Sequence, residues 1–118
     1  MGLKDVVRRM TSSVEEIDET RLQNRFAALG LAPIRDATAR VVTRVGGEVK
    51  RIRIVPRAGN PSLEILLDDG TGSISVVFTG RRSLGGVHTG RGLVVEGVAH
   101  LERGDLVLLN PAYTLMPE

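Results

Sequence analysis

The sequence predicts an all-β domain, a five-stranded Greek-key barrel with an α-helical N-terminal extension. Three observations predict it. From residue 37 onward the apolar residues recur mainly with period two. Asp/Gly-rich turns at 68–72 and 102–105 join neighbouring runs as antiparallel hairpins. The first 36 residues carry helical spacing instead. The 118 residues divide into a helical extension, 1–36, and a barrel domain, 37–118. A single open sheet with the helix on one face is the alternative architecture.

The extension comes first. Ser13-Val14-Glu15-Glu16 fits a capping box, in which the serine hydroxyl accepts from the Glu16 N–H. Val14, Ile17, Leu22, Phe26 and Leu29 form an apolar stripe, interrupted by a five-residue step from Ile17 to Leu22. Gly30 and Pro33 stop the helix. An earlier helical turn over Lys4–Met10 is compatible with the pattern.

The first strand starts near Ala37. Val41, Thr43, Val45, Gly47 and Val49 share one parity, and Ile52 and Ile54 the other. This phase flip predicts one long bent strand with its bulge or bend at Gly46-Gly47, in preference to a hairpin turning there. Pro56–Pro61 reads as a turn cluster. Leu63, Ile65 and Leu67 mark a second strand over 62–68, and Ile74, Val76 and Phe78 a third. The glycine-rich stretch Gly80–Gly92 has room for one helical turn at most. Leu93–Leu101 is the fourth strand and Leu106–Leu109 the fifth. After Asn110-Pro111 the chain resumes extended over Ala112–Met116.

Composition excludes several function classes. There is no cysteine, which removes disulfide scaffolds and thiolate metal sites. Two histidines, His88 and His100, are too few for a multi-histidine zinc centre in one chain. No apolar run approaches the roughly 18 residues of a membrane span, and MGLKDVVRRM lacks a secretory apolar core. A soluble cytoplasmic domain is the expectation. No serine sits in a recognisable nucleophile arrangement, and Gly90-Arg91-Gly92 opens no phosphate loop. Neither a catalytic residue nor a cofactor nor a metal is predicted; Asp68-Asp69 is explained by turn chemistry.

Charge is more informative by segment than in total. Net charge is +2, with 14 arginines and two lysines. Residues 37–57 are net +5, 58–79 net −3, 80–92 net +3 and 93–118 net −3. A fold that joins the two basic segments creates a local positive field. Arg40, Arg44, Lys50, Arg51, Arg53 and Arg57 are the main candidates for phosphate contact, because guanidinium forks pair with phosphate oxygens. Arg81 and Arg82 are candidates for clamping a strand. The competing explanation is a solvated face paired with Glu48, Glu64 or Asp68. Of the three aromatic residues, Phe26 and Phe78 fall on core stripes, leaving Tyr113 as the one candidate for stacking on a base.

Several segments together resemble an OB-fold of the anticodon-binding and RecG-wedge type. They are Val45-Gly46-Gly47-Glu48-Val49, LEILLDDGTG over 63–72, Val76-Val77-Phe78, GRGLVVEG over 90–97 and Asn110-Pro111-Ala112-Tyr113. The whole chain resembles a small actinobacterial group of stand-alone OB-fold nucleic-acid-binding proteins. The resemblance implies a binding face on strands two and three, flanked by Arg57–Asn60 and Glu102–Asp105. It also implies a non-enzymatic role with nucleic acid, single-stranded DNA or RNA ahead of duplex, and a link to DNA repair or recombination. The Glu102–Asp105 loop is net negative, which departs from that pattern. A protein-interaction module, or a small homo-oligomer joined through the N-terminal helix, is the second functional expectation.

Overall fold

The computed structural model describes residues 3–118, with side chains from Ser13 onward. The chain forms a helix, α1 (Leu3–Ala27), a single 3-10 turn (Ile34–Asp36) and six strands. The strands are β1 (Val42–Arg57), β2 (Asn60–Asp68), β3 (Ser73–Thr79), β4 (Gly92–Glu102), β5 (Asp105–Leu109) and β6 (Ala112–Leu115). Among the described residues, no helix is long and apolar enough to cross a membrane.

The sheet order is β1-β2-β3-β5-β4-β6, and β1 also pairs with β4. Five strands therefore close a ring, and β6 is an added edge strand on β4. All pairings are antiparallel except β3 with β5. The ring is barrel-like and mostly β, as the period-two pattern predicts. The sixth strand goes beyond the five expected: Ala112–Leu115, read only as extended, aligns with Glu96–Leu93.

Closure depends on β1. Its first half, Val42–Glu48, pairs with Val98–Gly92, and its second half, Glu48–Arg57, with Asp68–Asn60. One bent strand serves both sides, and there is no turn at Gly46-Gly47. The bulge falls at Lys50, between Val49 opposite Leu67 and Arg51 opposite Leu66. That extra residue moves Ile52 and Ile54 onto the parity of the buried Ile65 and Leu63. The bulge was expected at the glycines; they are small for a different reason. A Cβ on Gly46 would sit 2.6 Å from Leu31 Cδ1, and one on Gly47 2.9 Å from the Asp68 nitrogen.

The expected Pro56–Pro61 turn cluster is shorter than the sequence indicates. Strand pairing runs through Pro56 opposite Pro61, and only Ala58 and Gly59 turn. Both have positive φ, 51° and 80°, as in a type I′ hairpin. The Arg57–Asn60 pair closes the hairpin. Hydrogen-bonded and non-bonded pairs alternate along an antiparallel ladder, so the facing prolines occupy a pair that needs no N–H.

The ring interior holds Val45, Val49, Leu63, Ile65, Leu67, Ile74, Val76, Phe78, Leu93, Val95 and Leu108. Ile34 from the 3-10 turn and Leu84 from the 80–91 loop join the same cluster. Two expectations for the helix are corrected. Ser13 caps nothing, because α1 already begins at Leu3 and no residue from Met10 to Ser13 breaks it. The apolar stripe also splits: Leu22 and Phe26 are buried, whereas Val14 and Ile17 are 66% and 69% exposed and Leu29 is also exposed. At 3.6 residues per turn the five-residue step rotates Leu22 by roughly 140° from Ile17.

Replacing Gly47 by Ala should lower stability by about 1–3 kcal/mol, because the methyl meets backbone that cannot move aside. Gly85→Ala, in open space, should change it by less than about 0.5 kcal/mol. Urea unfolding midpoints of the two variants check the contrast.

Candidate nucleic-acid interface

A groove of about 680 Å³ lies on the outer side of the ring. Arg53, Val55, Pro56 and Arg57 of β1 form one wall, and Glu102, Arg103 and Asp105 the other. Glu64, Ser75, Val77 and Val107 complete the lining. Alternation explains why these side chains meet. Arg51, Arg53, Val55 and Arg57 share the outward parity, opposite Leu66, Glu64, Ser62 and Asn60. Ser75 and Val77 continue that parity across β3, and Val107 across β5.

The two hairpin tips meet across the groove. The β4–β5 turn is built like the β1–β2 turn, with Arg103 and Gly104 at φ 51° and 86°. Arg57 Nη1 donates to Glu102 Oε2 at 3.0 Å, and Nη2 donates to Oε1. His100 Nε2 lies 2.9 Å from the same Oε1. Arg57 and then His100 hold the Glu102 carboxyl down at about 2. Arg53 donates through Nε and Nη2 to Glu64 Oε1, at 2.9 and 2.6 Å. Among the described residues, three arginines and three carboxylates thus line the groove in balance.

The candidate residues do not form one patch. Arg51, Arg53 and Arg57 come together on the outer face of β1 and β2. Arg51 is exposed and has no carboxylate partner among the described residues. Arg44 sits on the β1–β4 side, opposite Glu96, and Arg40 nearby, where its N–H donates to the Ala99 carbonyl. Lys50 is drawn to Asp18 and Glu48, at 3.4 and 3.5 Å. Arg81 and Arg82 are exposed in the loop after β3. That loop starts beside the β1–β2 hairpin, since the Gly80 N–H donates to the Pro61 carbonyl. Tyr113 lies on β6, edge-on to Phe78 at 5.4 Å between centroids, and lines no part of the groove.

Sequence reasoning missed a second ionic centre. Glu48 is 8% exposed at the point where β1 changes partner. Arg21 of α1 donates to both its oxygens, at 2.9 and 3.1 Å, and Arg25 donates at 2.6 Å. Arg21, with help from Arg25 and Lys50, pulls the Glu48 carboxyl down to about 2. The signal was available as Arg21 and Arg25 at helical i, i+4 spacing, though nothing in the sequence named their partner. The Asp68-Asp69 turn behaves as expected from turn chemistry. Asp68 accepts from Gly70 N–H, and Asp69 accepts from the N–H groups of Thr71, Gly72 and Ile34.

A scan against protein-family models finds no match, and a search of curated proteins finds none.

Because the Glu48 carboxyl is lowered from 4.5 to about 2, its contribution is complete above about pH 5 and is lost as pH falls toward 2. Glu48→Gln should cost about 2–3 kcal/mol at neutral pH. The difference from wild type should shrink steadily between pH 5 and pH 2.5, read by urea unfolding at each pH.

Proposed function

We propose that this protein is a non-enzymatic nucleic-acid-binding protein of the OB-fold type, which holds a single strand mainly by its phosphates. The strand order supports the fold reading: a five-stranded ring closed by a bent first strand fits the Greek-key barrel of that class. The observation that carries the function is the groove on the β2–β3 side, between the β1–β2 and β4–β5 hairpins, with Arg51, Arg53 and Arg57 in a row on β1. OB-folds take oligonucleotides between these elements. The lining has no aromatic ring, so bases gain little by stacking and affinity rests on charge. Binding of that kind is modest, tolerant of sequence and steep in salt. A role in DNA repair or recombination, in the cytoplasm, follows the resemblance to wedge domains.

A second reading, self-association or protein docking through α1, is favoured by the exposure of Val14 and Ile17. Light scattering at micromolar concentration distinguishes it: a monomer that binds oligonucleotide supports the first reading, and a dimer that does not supports the second.

Anisotropy titrations with a labelled single-stranded oligonucleotide, at about 50 and 200 mM salt, test the first. Arg51→Ala should weaken binding to every sequence and flatten the salt slope by about 0.7 per lost contact. Arg53→Ala should cost less, because Glu64 already occupies that guanidinium. An unchanged slope in both variants overturns phosphate contact by this row.

A further inference from the structure

Among the described residues, the Arg57–Glu102 pair is the one bond joining the two walls of the groove through side-chain charge. Both partners stand at the ends of two-residue turns whose central residues all have positive φ. Such turns have little freedom, so the strands hold the two side chains face to face. The pair adds little to stability, because both side chains are partly exposed, at 27% and 34%. Its effect is on availability. Both guanidinium nitrogens that form the Arg57 fork are bonded to one carboxylate.

Resting on the nucleic-acid reading, we propose that Glu102 is a built-in competitor for phosphate: it holds the Arg57 fork until a phosphate of a bound strand displaces it. The consequence is selection by ligand length. A carboxylate fixed opposite Arg57 acts at an effective concentration on the order of millimolar or above. A free phosphate ion at lower concentration does not displace it. A phosphate on a strand already engaged by Arg51, which has no carboxylate partner among the described residues, arrives with a comparable effective concentration and does. The displaced carboxylate keeps a partner in His100, whose Nε2 already lies 2.9 Å from Oε1. Asp105 is the internal control. It lines the same wall and carries the same charge, and no ion pair joins it to Arg57 among the described residues.

The test uses the full chain and a labelled oligothymidylate of about 16 nucleotides. Glu102→Gln should bind several-fold more tightly than wild type, with a salt slope steeper by about 0.7. Asp105→Asn should gain less. In an Arg57→Ala background, Glu102→Gln should gain no more than Asp105→Asn does. Equal gains from Glu102→Gln and Asp105→Asn, or a Glu102→Gln gain that survives loss of Arg57, overturn the proposal, since general charge then explains the effect. Wild-type binding with no gain in Glu102→Gln overturns it and leaves the nucleic-acid reading standing. Absence of binding by wild type and by Glu102→Gln overturns both. Independently of any variant, the Arg57 Nε–H resonance of the wild-type chain should move on adding the oligothymidylate and stay in place with sub-millimolar inorganic phosphate. A resonance unmoved by bound oligonucleotide, or moved equally by phosphate, overturns the displacement.

Discussion

The structure depends on one strand having two neighbours. β1 leaves β4 and joins β2 at Glu48 and Val49, and the Val49 N–H and C=O are met there by Arg91 and Gly90. Among the described residues, no other strand links the two halves of the ring from that side. The constraint explains the local composition. Gly46 and Gly47 leave room for α1, Leu31 and β2 to approach, and Lys50 is the added residue that resets the parity. Leu22 and Phe26 then cover the junction, with Arg21 and Arg25 on the buried Glu48 carboxylate. The ion pair places the helix, and the apolar contacts supply most of the burial.

The same twist of β1 produces the candidate interface. Past the bulge, alternate residues point outward, which sets Arg53 and Arg57 along one edge of the groove and Arg51 on the same face of β1 outside its lining. Their charge is largely answered from within, by Glu64 and Glu102. A nearly neutral groove has a weak field at a distance, so the proposed binding of a polyanion would depend on close exchange of partners. This differs from a surface that is simply basic, and it fits a protein whose net charge is only +2.

Much of the fold was legible in the sequence. The change from helical to period-two spacing falls between the end of α1 at Ala27 and the start of β1 at Val42, and the phase flip between Val49 and Ile52 marks a real irregularity. What could not be read was its cause. A bulge at Lys50 and a bend at Gly46-Gly47 produce the same flip in parity, and glycine pairs attract the second reading. The prolines at 56 and 61 misled for a related reason. Proline signals a turn on average, but two prolines facing each other in a non-bonded pair remain inside a hairpin. For the groove, alternation was enough to group Arg51, Arg53 and Arg57. It could not show that Arg57 meets Glu102, 45 positions later, because that contact depends on how far the ribbon curls.

Ring closure also bears on how quickly the chain reaches this state. Val42–Glu48 must find Gly92–Val98 after the intervening hairpin is made, and β3 must align with β5 in parallel. Bringing such distant segments together costs loop entropy before the contacts repay it. The β1–β2–β3 meander is local, so contact order predicts that it assembles before the seam with β4, with milliseconds to seconds as the rough scale for topologies of this kind. Until that seam forms, the edges of β1 and β4 remain unpaired and open to other chains.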